Sequence, residues 1–168
     1  MKRMVDDKII KVTGNGVEIQ GSITGDEIIE NMSGYSFSKG SETTNLTREF
    51  VYAGIVKNGN KITLVIAINL TRTGTVASTA ALGKFVLPSD ILSKIYPSTI
   101  GGYDYVSVGK YGAWQSDTTS KDLSIYSQKA ADGITFSGNT DPINALTANT
   151  KYYCRIELTI LLSDNLAA

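Results

Sequence analysis

The chain has 168 residues, which suffice for one domain with its own hydrophobic core but are few for two. Sixteen basic and sixteen acidic side chains balance, so the basic surplus typical of proteins that bind nucleic acid or insert at anionic membranes is missing. The sequence has no histidine, one cysteine and no apolar run near the roughly 20 residues of a membrane span, so we expect no metal, cofactor, disulfide or membrane insertion.

The N-terminal part of the chain contains two short β-prone runs, residues 8–12 and 17–23. The Gly14-Asn15-Gly16 turn between them suits a tight β-hairpin. Residues 24–32 then predict a two-turn helix, because Thr24 or Asp26 can cap it and acidic residues follow in its first turn.

Residues 33–47 are rich in Ser, Gly and Thr, with Tyr35 and Phe37 as the large apolar anchors. This composition predicts a surface connection. We therefore place a boundary near residue 45, between an N-terminal segment and a β-rich main body.

The strongest local pattern begins at Phe50 and predicts two strands, residues 50–57 and 61–70, joined by a glycine turn. In the second strand every even position from 62 to 70 is Ile or Leu, which predicts a face in the core. The opposite face is partly apolar, and it has Val65 and Ala67 at its centre. These two residues are candidates for an oligomer interface, because a neighbouring element or a partner chain must cover them.

The remaining elements are short. Residues 84–87 predict a strand that ends at Pro88, and residues 89–95 predict about one helical turn. Further strands are predicted at 103–111, 121–127, 133–137 and 151–162. This succession predicts an all-β antiparallel β-sandwich or jelly roll, with an N-terminal hairpin and helix, and leaves open which sandwich topology it has.

Aromatic residues cluster between positions 96 and 114 of the sequence. Rings beside polar groups can hold a carbohydrate or contact a protein, so the candidate ligand-binding residues are Tyr103, Asp104, Tyr105, Tyr111 and Trp114. The alternative is that the odd-numbered tyrosines line one sheet face and pack in the core or at a subunit contact.

Catalysis is not expected, because the chain has no histidine, which is the commonest general base. A pair of carboxylates for cleaving glycosidic bonds remains the alternative. The acids that could form it are Asp104, Asp117, Asp122, Asp132 and Asp141.

The order of several short motifs over residues 50–162 resembles the C-terminal head domains of bacteriophage fibre and baseplate proteins. A Gly59-Asn60 turn leads into a long strand, Leu87-Pro88 ends a strand, and Tyr96-Pro97 follows. Near the end, Thr150-Lys151-Tyr152 opens a strand, with one residue inserted relative to the pattern of that family.

The resemblance implies a homotrimeric jelly-roll head, similar in shape to trimers of the tumour-necrosis-factor type. It also implies a virion protein, assembled in the host cytoplasm, that binds a host-surface saccharide without cleaving it. Residues 1–45 would be a neck or attachment segment that contacts other virion proteins, and residues 46–168 would be the β-sandwich head domain. The alternative function is a head fibre or capsid decoration protein that binds the particle rather than a receptor.

Overall fold

The structure, a computed structural model, describes residues 2–5, 8–13, 16–21, 34–116 and 119–163. Strands dominate it, so the predicted all-β class is confirmed. The strands are β1 Lys2–Val5, β2 Lys8–Thr13, β3 Gly16–Gly21, β4 Ser36–Ser38, β5 Leu46–Asn58, β6 Lys61–Arg72, β7 Ala80–Val86, β8 Ser98–Ile100, β9 Tyr103–Ser116, β10 Thr119–Ala130, β11 Gly133–Gly138 and β12 Lys151–Leu161. The helices are α1 Ser89–Leu92 and α2 Thr140–Asn144.

All described strands join one antiparallel sheet in the order β1-β2-β3-β5-β6-β12-β9-β10-β11-β7-β4, and β8 pairs with β9. The predicted N-terminal hairpin is confirmed as β2 and β3, and β3 also pairs with β5. The helix predicted at residues 24–32 and most of the hairpin turn lie outside the described residues. The N-terminal strands thus extend the same sheet that contains β5 to β12.

The centre of the sheet is the pairing of β6 with β12, which runs without a bulge from Lys61 opposite Leu161 to Thr71 opposite Lys151. Alternate residues of both strands point to one side and are buried there. The facing pairs on this inner side are Ile62 with Ile160, Leu64 with Leu158, Ile66 with Ile156, Ile68 with Cys154 and Leu70 with Tyr152. Each fully buried aliphatic side chain contributes about 1.5–3 kcal/mol.

The sheet curls until β4 approaches β5, which makes it a nearly closed, barrel-like sandwich. Phe37 of β4 packs against Phe50 of β5 and Phe85 of β7, with ring centroids 5.2 and 4.9 Å apart. The Phe37 ring also occupies the space of a Cβ at Gly83, where φ is +139°. The segment predicted as a surface connection at 33–47 thus contains the short strand β4, and its two predicted apolar anchors, Tyr35 and Phe37, are buried in the core.

The gap between β5 and the sheet edge formed by β4 and β7 is the seam of the barrel. Arg48 of β5 bridges this seam from the inner side of the sheet. Its guanidinium donates hydrogen bonds to the carbonyls of Lys39 (2.6 Å), Ser41 (3.0 Å) and Ala81. The Arg48 side chain is buried, and its charge is balanced by an exposed carboxylate of Glu42 at 3.3 Å. Backbone carbonyls that the open seam leaves without a strand partner are satisfied in this way.

The two helices cover opposite ends of the barrel. At the end where β12 finishes, the helical turn predicted after Pro88 is confirmed as α1, and the carbonyl of Lys94 beyond it accepts a hydrogen bond from the Ser163 amide. At the end where β12 begins, Asn144 of α2 exchanges two hydrogen bonds with the backbone of Val76. Neither described helix is long and apolar enough to cross a membrane.

Replacing Arg48 tests whether the guanidinium holds the seam. Arg48→Met retains an apolar stem but leaves three carbonyls without their donor, so we expect the free energy of unfolding in urea to fall by about 2–4 kcal/mol. Arg155→Met is the control, because the Arg155 ion pair with Glu157 is exposed and should change stability by less than about 1 kcal/mol. Equal losses in the two variants would contradict a closing role for Arg48.

Candidate functional site

A row of four side chains crosses the outer face of the sheet at right angles to the strands. Glu49 on β5 lies opposite Asn69 on β6, Asn69 lies opposite Tyr153 on β12, and Tyr153 lies opposite Trp114 on β9. Neighbouring strands are about 4.8 Å apart, so this cross-strand row spans about 14 Å. One end of the row is aromatic and the other is polar.

The aromatic end is accessible because the inner face of the same strands holds the core. Cys154 and Ala113, which follow and precede the two aromatic residues, point inward and are buried, so Tyr153 and Trp114 point outward. Trp114 is 48% exposed and Tyr153 is 40% exposed. Side chains directly opposite each other on paired strands are about 5 Å apart at Cβ, so Tyr153 and Trp114 are neighbours on the outer face.

Gly112 explains how the indole of Trp114 lies. A Cβ at Gly112 would be 2.8 Å from Trp114 Nε1, so the indole extends along β9 and covers the backbone there. Any larger residue at position 112 would push the ring away from the sheet. One face of the indole is therefore held against the protein and the other is turned to solvent.

Glu49 organises the polar end of the row. Its Oε2 atom accepts hydrogen bonds from Lys151 Nζ at 2.8 Å and from Asn69 Nδ2 at 3.2 Å. These two bonds, the stronger from Lys151, lower the pKa of the Glu49 carboxyl below its ordinary value. The carboxylate thus remains ionised and can act only as an acceptor.

A second aromatic surface, the tyrosine cluster, lies on the outer face near α1. It consists of Tyr103, Tyr105 and Tyr126, with ring centroids 6.3 Å apart for the first pair and 5.7 Å apart for the second. Ile100 beside Tyr103 is 64% exposed and Val108 beside Tyr126 is 65% exposed. This surface is more apolar than the cross-strand row.

The five residues predicted as one ligand site do not meet in one place. Tyr103 and Tyr105 are together in the tyrosine cluster, whereas Trp114 is nine residues farther along β9, about 30 Å away. Asp104 points to the other face of the strand, where it accepts a hydrogen bond from Thr99 Oγ1 at 2.6 Å. Tyr111 points inward against the core, and burial raises its pKa, as the core alternative predicted for this residue.

The residues that sequence reasoning missed are Glu49, Asn69, Tyr126, Lys151 and Tyr153. Alternation along β6 and β12 correctly separates Asn69 and Tyr153 from the core positions. The order β6-β12-β9, which places them beside Trp114, joins segments that are far apart in the chain. No local pattern in the sequence encodes that order.

Val65 and Ala67, the candidate interface residues, point outward but are only 6% and 3% exposed in the single chain. Tyr52 lies opposite Ala67 and extends over Gly54, which is opposite Val65. On the other side they face Arg155 and Glu157 of β12. Side chains of the same chain thus cover both residues, and trimerisation stays a prediction.

The carboxylates considered for catalysis are dispersed among the described residues. Asp104 accepts a hydrogen bond from Thr99, and the Asp132 carboxylate forms an ion pair with Lys84 Nζ at 2.6 Å. Asp122 lies on β10 and Asp141 in α2, whereas Asp117 is outside the described residues. The residues of the structure include no group of three or more side chains that could hold a metal ion.

Cys154 is unsuited to nucleophilic chemistry in the folded chain. Its side chain is buried between β6 and β9, and burial raises the pKa of the thiol to about 12. The reactive thiolate is therefore negligible near neutral pH. Cys154 acts as a small core residue.

The only tryptophan of the chain reports directly on the row. In Gly112→Ala the new methyl group would collide with the indole of Trp114, so we expect a red-shifted emission and stronger quenching by acrylamide. Lys110→Ala, on the same outer face of β9, is the control and should leave the emission unchanged. An unchanged spectrum in Gly112→Ala would show that the indole does not lie over position 112.

No family model, no curated protein and no solved structure matches the chain. The resemblance to phage fibre heads therefore remains a prediction from short motifs.

Proposed function

We propose that this chain is a non-enzymatic saccharide-binding domain, the head of a bacteriophage fibre, and that it holds a host-surface saccharide on the cross-strand row. The observation that carries the proposal is the adjacency of two exposed rings, Trp114 and Tyr153, to the amide of Asn69 and the carboxylate of Glu49. Rings can stack on the apolar face of a sugar, while the amide donates and accepts hydrogen bonds and the carboxylate accepts them from the sugar hydroxyl groups.

The spacing of acidic residues on the outer face supports binding without cleavage. Glycosidases place two carboxyl groups about 5–9.5 Å apart across the scissile bond. Glu157 is the acid on β12. It is about 13 Å along this strand from Tyr153, which lies in the same cross-strand row as Glu49. Asp122 is four strands from Glu49, about 19 Å across the sheet. Neither forms a catalytic pair with Glu49.

The place of the domain on the virion follows from the resemblance. Residues 46–168 would be the head, and residues 1–45 would attach it to other virion proteins, although β3 and β4 also join the sheet of the head. A location on the virion also suits a chain whose exposed aromatic surfaces need a partner.

A decoration protein that binds the phage particle is the second candidate function. The observation that favours it is the tyrosine cluster, because Tyr103 with Ile100 and Val108 exposes apolar surface beside aromatic rings. Aromatic residues are enriched where proteins contact each other. In that case the tyrosine cluster, and not the cross-strand row, would be the functional surface.

Two variants of the row and one of the tyrosine cluster separate the two functions. We expect Trp114→Ala and Tyr153→Ala to weaken binding of a saccharide selected on a glycan array by about tenfold or more, because each removes one stacking ring. Tyr103→Ala should bind as the native chain does. Calorimetry measures the affinities, and the opposite result, loss of binding only in Tyr103→Ala, would move the site to the tyrosine cluster.

The implied trimer has its own test. Light scattering of the purified chain should give a mass of three chains, because the exposed apolar residues of the tyrosine cluster can be buried between copies. Tyr103→Asp should lower the mass to that of one chain if this surface is the contact, with Lys110→Asp as the control. A native chain of monomeric mass would contradict the trimer.

A further inference from the structure

We infer that the ligand of the cross-strand row is a neutral oligosaccharide that lies across the strands, rather than an anionic glycan. This inference rests on the proposed saccharide-binding function and names the class of sugar. It follows from the charges, hydrogen bonds and dimensions of the row.

The cations beside the row are already paired with acids of the same chain. Lys151 Nζ is 2.8 Å from Glu49, and one NH2 group of Arg155 is 3.4 Å from Glu157. An anionic sugar would have to compete with these carboxylates for its positive partner, and it would approach both negative charges. The row therefore favours a ligand without a charge.

The described residues on the outer face around Trp114 carry no net charge either. Lys110 on β9 and Asp122 on β10 point outward, and their opposite charges cancel. The charges within the two ion pairs on β5 and β12 also cancel. Surfaces that attract anions carry an excess of one sign of charge. Here the summed charge of the six groups is zero.

The hydrogen-bonding capacity of Glu49 matches a hydroxyl-rich ligand. Among the described residues, both hydrogen bonds of Glu49 go to Oε2, so Oε1 can accept O–H groups of a sugar. The lowered pKa keeps the carboxylate an acceptor, which repels a sugar carboxylate and attracts sugar hydroxyls. The carbonyl oxygen of the Asn69 side chain adds a second acceptor.

The length of the row sets the size and direction of the ligand. The row extends about 14 Å from Trp114 to Glu49, which is longer than one sugar ring. A sugar stacked on the ring pair must therefore be followed by a second unit to reach the carboxylate. The ligand thus runs across β9, β12, β6 and β5 and contains at least two units.

The test titrates the native chain with two sets of oligosaccharides while the emission of Trp114 is recorded. The neutral set contains oligomers of glucose, galactose and N-acetylglucosamine, and the anionic set contains oligomers of sialic acid and galacturonic acid. We expect a blue shift with a neutral oligomer only. Its affinity should change less than twofold in 0.5 M salt and should exceed that of the corresponding single sugar by at least tenfold.

Glu49→Gln is the decisive variant, because it keeps the shape of the side chain and removes its charge. We expect it to weaken binding of the neutral oligomer about tenfold. Glu157→Gln, the matched control on β12, should change the affinity less than twofold. Circular dichroism of both variants checks that the fold is retained.

The outcomes separate the inference from the function on which it rests. An anionic oligomer that binds, and binds more tightly in Glu49→Gln, would overturn the neutral class but leave the saccharide-binding function standing. Failure of every oligosaccharide, with no hit on a wider glycan array, would overturn the proposed function itself.

Discussion

The pairing of β6 with β12 is the interaction on which the rest of the structure depends. Its inner face buries aliphatic residues from both strands in an unbroken register of eleven positions. Because side chains alternate with a period of two, burial of these residues forces their neighbours outward. A slip of one residue would bury Tyr153 and Arg155 and expose the core, so the core itself fixes the register of the outer face.

The curvature of the sheet determines which outer residues can act together. Register shifts leave an extra residue at Val51 in β5, at Val106 in β9 and at Leu82 in β7. Such bulges bend strands and allow a sheet to close. The result is one curved outer surface, with the cross-strand row near α2 and the tyrosine cluster near α1.

Much of this architecture could be predicted from the sequence, because the signals are local. The alternation in residues 61–70 and 152–160 identifies two strands and their buried faces, and the glycine turn at Gly59 marks the hairpin between β5 and β6. The short elements β8 and α2 carry too few residues for a pattern to emerge. Phe37 stands among polar residues and shows no periodicity, although it enters the core.

The candidate site was only partly predictable, because a cluster in sequence need not be a cluster in space. The aromatic residues between 103 and 114 lie on one extended strand, which separates its ends and turns Tyr111 to the opposite face from Trp114. Trp114 obtains its neighbours Tyr153 and Asn69 from strand order instead. Long-range pairing of this kind is decided by the whole core.

The rings that cover glycines have a consequence for the entropy of binding. Tyr52 covers Gly54 on β5, and on β9 Tyr111 covers Gly109 and Trp114 covers Gly112. A ring held against the backbone loses its rotamer freedom when the chain folds, and immobilising such a side chain at an interface would otherwise cost about 0.5–1.5 kcal/mol. At Trp114 this loss has already occurred before a ligand arrives, so a weak stacking contact can contribute its full strength to affinity.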